Sequence, residues 1–269
     1  MLHTVARSTS KYSAIFRTQL LNSFAYPADL FSRSVSMILF MWIFLQLWRV
    51  TYGAVGMDAI AGMTLRETMW YLMITEMVIL SKPRLVNNIA TAVKDGSIAY
   101  LLNKPYNFIL YQASVSLGDS ILRMAANALM GGAVLWLTVG APPGPSSWLP
   151  TLVAILLAWF IDFCLSALIG LLAFITEDIS AFMWIYQKMI LVMGGVLIPL
   201  DFFPDWLKNI ALGMPFAYTT YAPARIFISP NPGTIASLLA LQTVWLLVLG
   251  GLLATLYRRA EKWLSINGG

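Results

Sequence analysis

Two carboxylates four residues apart, Asp201 and Asp205 in the stretch DFFPD, have a spacing that could hold Mg²⁺ against a diphosphate. No third acid and no arginine stands beside them in the chain, which leaves a thin donor set. The one histidine, His3, belongs to the N-terminal segment, so a Ser-His dyad or a histidine-based zinc site within the apolar runs is not available. Cys164, the one cysteine, sits inside an apolar run and reads as a small buried hydrophobe; it has no partner for an internal disulfide. No G-x-x-x-x-G-K-[ST] phosphate loop occurs: Gly194-Gly195 is followed by VLIPL, with no lysine where phosphates would need one. Asp119 and Arg123 are four apart and share a helical face, the arrangement of a self-neutralising structural pair. Glu76, Asp162 and Lys188 are further charges in or near apolar runs, each able to line a polar path or to snorkel from a span end. The sequence therefore supplies no catalytic residue and no metal-ligand set.

The elements around these residues are set by composition. Of 269 residues, 59% are hydrophobic and 11% charged, and mean hydropathy is +0.75. Soluble domains carry about 25% charged residues, and several apolar runs here approach the roughly 20 residues that cross a bilayer. The fold class expected is an all-α integral membrane protein. The net charge of +5 comes from basic residues in the gaps between runs, a pattern of membrane orientation rather than of a nucleic-acid face.

Residues 1–25 place Tyr12, Ile15, Phe16 and Leu20 on one helical face and Arg7, Lys11, Thr18 and Asn22 on the other, an amphipathic helix suited to a lipid surface. The same segment lacks the compact apolar core of a signal peptide. Tyr26-Pro27 breaks it. Six spans are then expected, at about 30–48, 65–80, within 117–139, 148–174, 179–199 and 234–257. The second continues past Lys82-Pro83-Arg84 as a helix leaving the membrane, and Thr176-Glu177-Asp178 caps the fifth. With both termini cytoplasmic, Arg7, Lys11, Arg17, Lys82, Arg84, Lys94, Lys104, Arg258, Arg259 and Lys262 fall inside. Arg49, Arg66, Lys208 and Arg225 fall outside. Ala128 with Gly132, and Ser166 with Gly170, offer small-residue pairs for close helix approach.

The segment 200–230 is too broken to span and too apolar for water. Pro204 can open a short helix, PDWLKNIALGM, and Pro215 another, PFAYTTYAPARIF, with Trp206, Tyr218 and Tyr221 suited to the membrane interface. A helical hairpin that dips into the outer leaflet, or a loop lying flat on it, would both satisfy the backbone.

This order of elements resembles the membrane subunits of type-2 ABC exporters. The stretch GGVLIPLDFFPDWLKNIALGMPFAYTTYAPARI is similar to that family's broken segment before the last span, and VKDGSIAYLLNKPYNF to the first cytoplasmic loop of one subgroup. The resemblance implies one permease domain over 1–269, with a coupling loop at 82–106 and an external re-entrant hairpin at 200–230. It implies a coupling segment of Val93, Lys94, Asp95, Gly96, Ser97, Ile98, Leu101 and Leu102. It also implies an external gate hairpin of Pro199, Phe203, Pro204, Trp206, Pro215 and Phe216. The implied partners are a cytoplasmic ATPase dimer, which would carry ATP and Mg²⁺, and a second permease subunit, identical or related, in a bacterial inner membrane. A secondary transporter or channel without an ATPase is the alternative, and internal inverted repeats that would favour it are not evident. An intramembrane enzyme ranks below both.

Overall fold

The computed structural model describes residues 2–25, 27–104, 106–176 and 178–267. Tyr26, Pro105 and Glu177 lie outside the described residues, as do the side chains of Arg7, Leu102 and Lys262. Helices α1 (Leu2–Phe24) and α2 (Pro27–Val55) lead to a minimal hairpin of β1 (Ala59–Ile60) and β2 (Met63–Thr64). Then follow α3 (Leu65–Leu80), α4 (Leu85–Lys94), α5 (Ser97–Leu102), α6 (Phe108–Thr138) and α7 (Trp148–Leu172). The chain closes with α8 (Ser180–Met193), α9 (Asp205–Leu212), α10 (Tyr221–Ile228) and α11 (Pro232–Asn267).

Among the described residues, four helical stretches are long and apolar enough to cross a membrane: 35–55, 108–138, 145–172 and 232–260. The expected second and fifth spans are shorter, 16 residues in α3 and 14 in α8. Helix α3 is the core of the bundle, buried without interruption from Thr68 to Val78 and packed by α2, α6 and α10. A capping box starts it: Glu67 N–H donates to Thr64 Oγ1 at 3.3 Å, and Thr64 N–H to Glu67 Oε2 at 2.8 Å.

Side chains exchanged between lipid and protein gain little hydrophobic free energy, so helices in a membrane associate where small residues let them come close. A Cβ on Gly170 would stand 2.8 Å from Ile89 Cδ1, which is how α4 lies tight on α7, as the Ser166–Gly170 spacing suggests. On α6 the tight position is Gly131, facing Met37 and Met73, rather than the expected Gly132. Gly118 is a further tight position that the small-residue spacing does not announce: a Cβ there would meet the Phe16 carbonyl at 2.9 Å, so α1 docks on α6. The half-buried face of α1 carries Tyr12, Ile15, Phe16 and Leu20, and Lys11, Arg17, Thr18 and Asn22 are exposed, the split expected of it.

The fifth helix ends six residues before the expected Pro199, at Met193. The cause is Gly194-Gly195. Gly195 takes φ +66, and a Cβ there would lie 2.6 Å from the Tyr71 hydroxyl.

Candidate functional site

Two breaks in the helical frame gather the polar residues, one at each end of the bundle. At the end carrying α5, Pro83 cannot donate a backbone hydrogen bond, so the chain leaves α3 at Ser81–Lys82 and restarts as α4. The carbonyl so freed on Lys82 accepts from Arg123 Nη1 at 3.2 Å. Ser81 Oγ donates to the Met77 carbonyl at 2.6 Å and accepts from Asn127 Nδ2 at 3.0 Å. Arg123 is paired with Asp119, as expected from their spacing, and Lys82 is paired with Asp162, which also accepts from the Tyr186 hydroxyl. This belt joins α3, α6, α7 and α8. Asp162 lies ten residues before the end of α7, about 15 Å along the axis at 1.5 Å per residue.

Beyond the break, α4 buries Leu85, Val86, Ile89 and Ala92 and ends in the exposed Lys94. A turn follows at Asp95-Gly96. Asp95 Oδ1 accepts the Ser97 N–H at 2.9 Å, and Gly96 takes φ +76, a left-handed conformation suited to glycine. Hydrogen bonds from Ser97 hold the Asp95 carboxyl below the usual carboxylate range. Val93 is half-buried, and Lys94 through Ser97 form an exposed tip. Ile98 corrects the expectation that it docks into a partner, being buried inside the chain, and Leu101 is half-buried against the same core. Among the described side chains the loop presents Tyr100, 67% exposed, with Lys104 Nζ 4.4 Å from its ring centre. The α7–α8 loop stands across a 710 Å³ groove from this tip, lined by Val93, Lys94, Phe174, Asp178 and Ser180. The Ser180 hydroxyl and N–H lower the Asp178 pKa, with Lys94 adding to it.

The other break follows Met193. Leu200–Phe202 forms one 3₁₀ turn, α9 follows Pro204 as expected, and Pro215–Tyr218 forms a second 3₁₀ turn before α10. The single helix expected from Pro215 is thus two pieces. Tyr218 and Tyr221 are also corrected: both are core residues, at 1% and 5% exposure, and only Trp206 is exposed. Pro199 is buried, Phe203 and Pro215 are half-buried, and Pro204 is exposed. Phe216 is half-buried and its ring centre lies 6.3 Å from that of Tyr186, linking the two breaks.

Carbonyls left by the broken backbone are met by side chains of the bundle. Tyr71 donates to the Gly195 carbonyl at 2.8 Å, and Thr220 to that of Gly194 at 2.7 Å. Gln242 Nε2 donates to the carbonyls of Tyr218 and Ala154 at 2.9 and 3.0 Å. Gln242 lies ten residues into α11, about 15 Å from its start.

Asp201 of DFFPD is engaged by cations rather than by further metal donors. No cation flanks it in sequence, but the fold brings Lys208 Nζ to 2.7 Å and Arg225 Nε to 3.4 Å, with the Tyr221 hydroxyl at 3.4 Å. One carboxylate therefore ties the first 3₁₀ turn, α9 and α10 together. A carboxylate already matched by two cations is a poor seat for Mg²⁺, and no metal-binding cluster of His, Cys, Asp or Glu occurs among the described residues. Glu76 is buried in the last third of α3, four residues before its end, without an ion-pair partner among the described residues. Lys188 is exposed, 4.9 Å from the Trp184 ring centre, and Cys164 is free and buried.

A helical bundle with four helices long and apolar enough to cross a membrane, and a broken polar backbone sealed by its own side chains, is a polytopic membrane protein. The chain belongs to the ABC-2 family: the model described as "ABC-2 family transporter protein" matches residues 34–268. No curated protein matches the chain.

Proposed function

We propose that this chain is the permease subunit of an ATP-driven exporter, forming half of a translocation pathway with a second permease, identical or related. ATP and Mg²⁺ are held by a separate cytoplasmic ATPase pair, and the membrane is a bacterial inner membrane with both termini inside. Helices α3 and α8 complete six crossings: α3 continues through its break into α4, and α8 through Gly194-Gly195 into the broken segment. The burial of Tyr218 beside Gln242 supports a re-entrant hairpin at 200–230, because its backbone sits well below the start of α11. In that reading Pro199, Phe203, Pro204, Trp206, Pro215 and Phe216 close the external exit.

The observation that carries the reading is the α4–Gly96–α5 turn, an exposed tip on a helix packed against α7. Force applied at Lys94–Ser97 passes along α4 to Gly170 and to the belt at Lys82. Ile98 and Leu101 anchor the tip from within, and Lys94, Asp95, Gly96, Ser97 and Tyr100 meet the ATPase. A cysteine at Lys94, in a chain lacking Cys164, is expected to cross-link at short range to the ATPase in native membranes. Gly96→Val should insert normally yet uncouple ATP hydrolysis from transport, since no atom crowds a Cβ there and the cost lies in the left-handed backbone, about 1–2 kcal/mol. No cross-link from any position in this loop, with normal coupling in Gly96→Val, would remove the ATPase reading in favour of a secondary transporter.

A further inference from the structure

Two cations at the inner break have no carboxylate partner among the described residues. Lys82 is matched by Asp162 and Arg123 by Asp119, but Arg84 at the start of α4 and Lys188 on α8 have no such partner among the described residues. Both line one cleft of about 420 Å³, together with Lys82, Asn87, Tyr186 and Gln187. The lining holds three cations and no acid. Subtracting Asp162, which sits behind Lys82, leaves a net charge of two positives facing the cleft. Arg84, Asn87, Gln187 and Lys188 are exposed at its rim, and Ile79, Met183 and Leu191 make an apolar wall.

The two features belong to one kind of ligand. A head with oxygens spread over more than one atom can accept from an arginine fork on one wall and a lysine on the other, and charge-assisted bonds of this sort are the strong ones. An aliphatic chain attached to that head would follow the apolar wall. We propose that the cleft between Arg84 and Lys188 binds an anionic amphiphile, with its phosphate or carboxylate head between the two cations and its chain along Ile79, Met183 and Leu191. The proposal rests on the permease reading and gives it a substrate class: a charged amphiphile taken from the inner leaflet at the junction of α3, α4 and α8.

Trp184 lies close enough to Lys188 to report on the site. The full chain in a neutral maltoside detergent is titrated with dioctanoyl phosphatidylglycerol, dioctanoyl phosphatidylcholine and glycerol 1-phosphate. The signal is the tryptophan fluorescence change that disappears in Trp184→Phe. Phosphatidylglycerol should give a saturable change and phosphatidylcholine none. Glycerol phosphate, the same head without a chain, should bind at least about tenfold more weakly, the loss of a few buried methylenes. Arg84→Gln and Lys188→Gln should each weaken phosphatidylglycerol about tenfold, the worth of one charge-assisted contact, and Arg84→Lys should recover part of it. Equal binding of the two lipids, undiminished affinity in both glutamine variants, or glycerol phosphate as tight as phosphatidylglycerol would each overturn the proposal. The wild-type comparisons need no variant to fold. No nucleotide or ATPase is present in this titration, so its failure leaves the Lys94 cross-link as a separate test of the permease reading.

Discussion

Removing Asp162 should be costly, and removing it together with Lys82 should not be. Asp162 is 7% exposed at its side chain and accepts from both Lys82 and Tyr186. Taking one partner from a buried ion pair typically costs about 3–5 kcal/mol, because the remaining charge stays buried and unmatched. Here the figure must be reduced. Lys82 retains 21% exposure, and its ammonium lies 5.3 Å from the Tyr186 ring centre, which compensates part of the loss. About 2–3 kcal/mol remains for Asp162→Ala, a fall of roughly 30- to 150-fold in the folding equilibrium at about 1.4 kcal/mol per decade. The double variant Lys82→Met with Asp162→Leu removes both charges and keeps the volume, so it should return to within about 1 kcal/mol of wild type. Reversible unfolding by a denaturing detergent, followed by near-ultraviolet circular dichroism, measures all three. A double variant no more stable than Asp162→Ala would refute this account. The pair would then be fixing the break itself rather than cancelling its own charge.

Gly195→Ala should disrupt the start of the broken segment, because φ +66 disfavours a side chain and the new Cβ would press on the Tyr71 hydroxyl; loss of protease resistance in 200–230 checks it, and a wild-type digest pattern would count against it. A cysteine at Asn209, exposed on α9, should react with an impermeant thiol reagent from outside, and one at Lys94 only after the inner face is opened; the reverse pattern would invert the topology. Asp178, its pKa lowered first by Ser180 and then by Lys94, stabilises the start of α8 above the ordinary carboxylate range of about 4, and that stability should fade as pH drops through the lowered value. The protection factor of the Ser180 amide, its exchange rate corrected for the intrinsic pH dependence, should fall over that acidic window in wild type and stay flat in Asp178→Asn.

Much of the frame was legible because hydropathy and proline act locally. The start of a new helix at Pro27, the restart after Pro204 and the helix beyond Lys82-Pro83-Arg84 all follow from a missing donor or a fixed φ. The pair Asp119–Arg123 was legible for the same reason, four residues being one turn of helix. What the sequence hid was long-range pairing. Nothing near Asp201 announces Arg225, and nothing near Lys82 announces Asp162, since each match depends on which helices end up adjacent. Tyr218 and Tyr221 misled because an aromatic with a hydroxyl suits both a membrane interface and a sealed polar core. Ile98 misled because a short apolar stretch does not say whose groove it fills.

The unbroken burial of α3 from Thr68 to Val78 bears on how the chain is built. A 16-residue segment containing Glu76 is a poor client for lipid when it first leaves the ribosome, being short and carrying a charge that hydrocarbon disfavours. Its neighbours α6 and α10 are synthesised later, and Asn127, which completes the Ser81 contact, arrives with α6. Helix α2, 29 residues long, is already present and joined to α3 by the tight β1–β2 turn. The pair can therefore enter the membrane as one unit, with α2 holding α3 in place. The final seat of α3 closes only when α10 is made, so α3 stays incompletely packed until residues 221–228 have been synthesised.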